Sequence, residues 1–250
     1  MRRLAFVGLA LVCAGCVTTE SVRFQAKQNQ QAMVRDGRPA LVSRKPNSLV
    51  LIGPAAREMQ AGQRPVFVVG LNNLGSKPFD FRISDIQVTQ VVNGQATPLR
   101  VITYEDLVRE ERTRQVIGAI VAGAAAGANA YNASQAGYYR SNSTVYGPGG
   151  RTYSVTTAGY SPTAAAIAQS RAAAQNDAMI AATVERGQAN MAALEQGVMK
   201  DNTLMPGEWY GGQLHLQPLV SNGSEQKTYV ISLAIGSERH DVEIVQSPDR

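Results

Sequence analysis

The sequence predicts an α+β protein, an antiparallel β-sandwich interrupted by one long antiparallel helical hairpin. Two observations carry this. Short stretches of alternating apolar and polar residues, punctuated by turn signals, run through residues 32–103 and resume over 203–250. That is the pattern of half-buried antiparallel strands. Between them, residues 104–202 switch to helical signals around VIGAIVAGAAAGANAY, Val116 to Tyr131, which is almost wholly Gly, Ala and aliphatic. A hairpin returns the chain near its exit point, so the insertion leaves one β-domain intact.

The strands follow in order. Asp36-Gly37 is the central pair of a two-residue hairpin turn. Ser48 to Ile52 reads as a buried strand stopped by Gly53-Pro54, and Arg64 to Gly70 as another, turning at Asn72 to Gly75. Phe79, Phe81 and Ile83 alternate with Asp80 and Arg82. Ile86 to Val92 and Ala96 to Thr103 flank Asn93-Gly94, the strongest short hairpin signal. After the hairpin, Glu208 to Pro218 alternates around Trp209, Leu214 and Leu216. Tyr229 to Ile235 alternates again, and Gly236-Ser237 turns the chain into Val242 and Ile244. Neither segment alone covers its apolar face; together they give about seven to nine strands in one sandwich.

Thr103 with Asp106 fits a capping box at the start of the first helix. Ser161-Pro162 opens the second, which can run to Lys200 before Pro206. Helices over Tyr104–Ser134 and Pro162–Lys200 would be roughly 45 and 58 Å long. Gly118, Gly123 and Gly127 punctuate the first, and Gly123 and Gly127 form a G-x-x-x-G pair. Small residues four apart let another helix approach closely, so these three glycines are the expected helix-packing positions, a glycine-zipper-like surface. On the second helix, Ile180, Val184, Gly187, Met191, Leu194 and Val198 are spaced as a heptad seam. The uninterrupted apolar run Val116 to Ala128 spans roughly 20 Å, short of the ~30 Å of a bilayer core, which favours helix–helix packing over insertion.

Residues 134–161 form the tip, rich in Ser, Gly and Tyr. Tyr139, Tyr146, Tyr153 and Tyr160 recur every seven residues, but Gly147 to Gly150 excludes a helix. The tip reads as a low-complexity loop or a β-hairpin turning at Gly147-Pro148-Gly149-Gly150. The four tyrosines are its candidate contacts, since each offers a flat apolar face with a polar end.

At the start, Arg2-Arg3, an apolar stretch from Leu4 to Val12 and Ala14-Gly15-Cys16 form an export signal over residues 1–15. This stretch closely resembles the signal and lipobox of bacterial lipoproteins, with Cys13 where that family usually has Leu. The resemblance implies that Cys16 becomes the first mature residue and carries lipid, palmitate included. Val17 after it, in place of Asp, implies the outer membrane. The protein would sit lipid-anchored there, on the periplasmic face or the cell surface. Residues 16–31, polar and Gln-rich, are expected to be a tether. Leu204 to Glu208 resembles the loop before a late strand of small immunoglobulin-like bacterial lipoprotein domains, and Val68 to Asn73 an early strand of the same domains. The implied β-sandwich is therefore immunoglobulin-like.

Two of the 24 basic residues, Arg2 and Arg3, leave with the signal, so the surplus over 19 acidic residues is small and scattered. A nucleic-acid footprint needs a clustered basic face, so no nucleic acid is expected. Cys13 and Cys16 are the only cysteines, which leaves no disulfide after cleavage. A zinc site would need both histidines, His215 and His240, with carboxylates such as Glu208 or Asp241. No P-loop, G-x-S-x-G or H-E-x-x-H occurs. No enzyme activity, cofactor, metal or small-molecule substrate is expected. The expected role is structural: a cell-envelope lipoprotein whose hairpin packs with copies of itself or with an envelope protein. Two alternatives stand beside it, a membrane-active protein inserting as an oligomer, and a module gripping peptidoglycan or another glycan through its Tyr-rich tip.

Overall fold

The computed structural model describes residues 19–35, 37–60, 62–217 and 225–248. It is α+β, with two helices and mostly antiparallel sheets. Ten strands precede the helices: β1 (Thr19–Gln25), β2 (Gln30–Arg35), β3 (Arg38–Arg44), β4 (Ser48–Pro54), β5 (Met59–Gln60), β6 (Val66–Asn73), β7 (Phe79–Phe81), β8 (Ile86–Val92), β9 (Gln95–Leu99) and β10 (Val101–Ile102). Then come α1 (Tyr104–Gln135), β11 (Tyr138–Tyr146), β12 (Thr152–Tyr160) and α2 (Pro162–Gly197). The chain closes with β13 (Asn202–Leu204), β14 (Trp209–Leu216), β15 (Lys227–Ile235) and β16 (Glu238–Pro248). Residues 104–196 form one compact unit, and the described residues on either side of them form another.

The β unit holds two six-stranded sheets, ordered β5-β1-β16-β15-β8-β9 and β10-β14-β6-β4-β3-β2. Both contribute to one hydrophobic core, an arrangement compatible with a β-sandwich. Its strands alternate as their sequences do: Val50 and Ile52 point in from β4, and Ile231, Leu233 and Ile235 from β15. Phe67 of one sheet meets Tyr229 of the other edge to face, with centroids 5.9 Å apart, a geometry that contributes ~0.5–1.5 kcal/mol beyond area burial. The two sheets carry twelve strands, more than the seven to nine expected, because Ala96 to Thr103 splits into β9 and β10 on different sheets and because β1 and the two-residue β5 carry no alternating pattern. Asn93 and Gly94 both take positive φ, 50° and 80°, the backbone of the expected type I′ turn between β8 and β9.

Two expectations are corrected here. The tether is shorter than residues 16–31, because Thr19–Gln25 is a strand held between β5 and β16. Its polar look misleads: Val22 is core, and Glu20 is fully buried because Lys227 neutralises it at 2.6 Å. The second helix ends at Gly197, not Lys200. Val198 makes a parallel bridge to Gln213 and Met199 packs into the β core. Glycine is a poor helix residue, and the chain leaves the helix there.

Candidate functional site

Within the helical unit, α1 and α2 pack along small residues. Along the seam Ala122 and Ala133 of α1 and Ala165 and Ala172 of α2 are buried and Ala126 and Ala168 half-buried, with Gly118 facing Thr183 and Gly187 facing Gln115. A Cβ at Gly187 would lie 3.1 Å from the Gln115 side chain, so glycine is what lets the helices close there. Polar locks set the register. Buried Glu111 accepts from Asn190 Nδ2 at 3.0 Å and from Arg114 at 3.2 Å, while Gln115 Nε2 donates to the Gly187 carbonyl at 3.0 Å. Nearer the tip, Asn129 Nδ2 donates to Asn176 Oδ1, and Asn176 Nδ2 donates to the Ala126 carbonyl. A shifted register would leave these groups buried without partners, which penalises it.

The expected packing residues therefore separate. Gly118 lies in the seam, but Gly123 and Gly127 do not: a Cβ at either would have nothing within 4 Å. The heptad seam holds only in its later half: Gly187 is buried and Met191 and Leu194 are half-buried, whereas Ile180 and Val184 are 46% and 54% exposed. Toward the tip, alanines, weak on any hydropathy scale, hold the contact line instead. What Gly123 and Gly127 border is an open apolar face of α1. Val116, Ile117, Ile120, Val121 and Tyr131 on it are 56–66% exposed. Beside it, Val116, Ala119, Val184 and Met191 line a cleft of about 800 Å³ between the two helices. By length and composition α1 could cross a membrane, with only 11% of its apolar window buried.

The tip is a nine-pair hairpin, β11 on β12, with nearly every side chain exposed. The tyrosines are mostly committed to it. A Cβ at Gly159 would fall 2.5 Å from the Tyr139 hydroxyl, one at Gly147 2.7 Å from the Tyr153 ring, and one at Gly137 2.3 Å from the Tyr160 ring. Each ring lies over a glycine and shields backbone that has no side chain, the arrangement known as aromatic rescue. Tyr160 also tilts against Tyr138 at 4.9 Å. Tyr146, 79% exposed, is the most exposed of the four.

A scan against protein-family models found no match, and neither did searches of curated proteins and of solved structures. Cys16 lies outside the described residues.

The β unit holds a polar chain that the sequence pattern does not reveal, because it joins residues up to 197 positions apart. His240 of β16 contacts Ser43 of β3 through Nδ1 at 2.9 Å and Ser48 of β4 through Nε2 at 2.8 Å. Ser48 Oγ donates onward to Glu238, whose other oxygen accepts from the Asn47 backbone at 3.1 Å. That direction fixes the rest. Ser48 must receive its hydrogen bond from Nε2–H, and when the ring is neutral Nδ1 accepts from Ser43. Burial pushes the His240 pKa down to about 4, with Lys45 acting in the same sense against Glu238 and Asp241. Burial alone would raise Glu238, but the hydrogen bonds from Ser48 and Asn47 hold it below the usual carboxylate range. Ser43, Ser48 and His240 are buried, so no substrate reaches them, and the chain links one sheet to the other. Among the described residues no group of three His, Cys, Asp or Glu could hold a metal ion.

Proposed function

We propose that this chain is a lipid-anchored protein of the bacterial outer membrane whose helical hairpin assembles with copies of itself or with an envelope protein. The β unit, read as an immunoglobulin-like sandwich, is the carrier. The observation that supports assembly is the open face of α1. Five large apolar side chains, more than half exposed, stand along a single helix around Gly123 and Gly127. Together they present roughly 500 Å² of side-chain surface, near the upper end of what monomers expose. Glycines on that face allow a partner backbone to come close. Anchoring is supported by the Arg2-Arg3, apolar and Ala14-Gly15-Cys16 succession.

The test has two arms. Cys16→Ser abolishes acyl labelling and releases the protein from the membrane pellet; unchanged labelling refutes the anchor. Ile120→Glu, on the open face, leaves the helical content intact but removes the oligomers, or the envelope partner, that cross-linking captures with the unaltered protein. Identical cross-linking patterns for both proteins refute assembly through α1. Cross-links lost only when the hairpin is extracted from the bilayer would favour the insertion reading, which the length and composition of α1 also allow.

A further inference from the structure

We propose that the open face of α1 binds the same face of a second copy of this chain, with the two helices antiparallel. This rests on reading that face as the surface through which the hairpin assembles. Ile117, Ile120, Ala124, Gly127 and Tyr131 are all exposed and recur at alternating intervals of 3 and 4 residues. That is the a/d line of a coiled coil. Ala122 and Ala133, buried in the seam with α2, stand two residues on from Ile120 and Tyr131, about 200° round the helix. So α1 carries two seams back to back, and α2 fills one of them.

The open face is complementary to itself. Its first half is large, with Val116, Ile117, Ile120 and Val121, and its second half is small, with Gly123, Ala124, Gly127 and Ala128. Opposite halves meet only when the copies are antiparallel. One register that sets a positions against d positions puts a large residue over a small one in every layer: Ile117 over Gly127, Ile120 over Ala124 and Tyr131 over Thr113, each repeated by the two-fold axis. Large facing small is what lets layers interdigitate. A parallel copy would set Ile on Ile and Gly on Gly, crowding one end and leaving a gap at the other. Two such faces bury roughly 1,000 Å² between them, the area a specific interface needs. No charge lies between Arg114 and Arg140, so none is caught among the apolar layers. Lipid fits this face less well. On α2, Asn176 holds the Ala126 carbonyl and Thr183 meets Gly118, so the exposed Arg171, Asp177, Glu185 and Arg186 stand beside this stretch of α1. A bilayer would have to take in those charges, whereas a second copy covering α1 leaves them in water.

The experiment expresses two differently tagged full chains together, one Ile117→Cys and the other Gly127→Cys. Cells are treated with a membrane-permeant oxidant, and the joined peptides are read by mass spectrometry. Position 117 faces 127 in the antiparallel pair, while like positions lie about ten residues, or ~15 Å, apart along the axis, too far for a disulfide. The mixed 117–127 disulfide is expected to exceed either like-to-like disulfide at least about ten-fold. Gly127→Leu meets open space within its own chain. It should therefore leave helical circular dichroism intact while weakening the dimer seen by sedimentation at least about ten-fold through overpacking. An excess of like-to-like disulfides would make the copies parallel and overturns the inference. Absence of any disulfide overturns it too, as does a dimer that Gly127→Leu leaves unchanged. Cross-linking of the unaltered protein separates this inference from the reading beneath it. Capture of a different protein alone overturns the second copy but not assembly through α1, and capture of nothing overturns both.

Discussion

A buried histidine with every hydrogen-bond capacity used in one direction is an acid-sensitive joint. Protonating His240 requires Nδ1 to donate, so Ser43 must turn its own hydrogen elsewhere. The folded pKa is depressed to about 4, while the unfolded value is near 6.5. The unfolded chain therefore binds the proton first, and this contribution to stability is full above pH 6.5 and is lost as pH falls toward 4. Glu238 and Asp241, both held low, lose their contributions only below the ordinary carboxylate range. Between pH 7 and 5 the protein loses about 2 kcal/mol from this histidine. In urea unfolding, His240→Asn starts less stable at pH 7 but has a flatter profile between those pH values; parallel profiles would exclude His240 as the source. None of this was legible in advance. His240 reads as one more polar residue on a strand, and only the pairing of sheets brings two serines to its nitrogens.

The helices were placed well by sequence because their punctuation is local. Ser161 accepts from the Ala164 N–H as an N-cap should, and Pro162 opens α2. Which face packs is a different matter, and hydropathy pointed the wrong way. The most apolar residues, Ile120, Val121, Ile180 and Val184, are exposed, while alanines and Gly187 make the contact. Two glycine substitutions consequently have opposite signs. Gly187→Leu forces Gln115 away and should lower the stability of the hairpin by about 1–3 kcal/mol. Gly123→Leu meets open space and replaces a poor helix former, raising stability by up to ~1 kcal/mol. It nevertheless blocks close approach of a partner. Thermal melts of both variants, followed by helical circular dichroism, decide the matter; equal destabilisation would mean that Gly123 is packed after all. The seven-residue tyrosine spacing was visible in sequence, but its reason was not. Hairpin pairing, rather than a helix, puts the rings over glycines.

Across the whole molecule, the two β segments share one core although 93 residues separate Thr103 from Gly197. A chain in which Thr103 is joined to Gly197 through a short Gly/Ser linker should fold and melt in one transition. Two transitions, or an insoluble product, would show that residues 104–196 are needed to shape the sheets. The alternating strands and the Asn93-Gly94 turn were readable; β1 was not, since what makes Glu20 a core residue is Lys227, 207 positions later. That distance has a consequence in time. Synthesis delivers β1 more than 200 residues before its neighbour β16, and Gln246 of β16 donates to the same Glu20. Until the ribosome has delivered β15 and β16, β1 has no neighbour on that side and its carboxylate no ammonium. A chain stopped before β16 cannot bury Glu20 among its partners, and so stays open to the proteases that clear unfinished products.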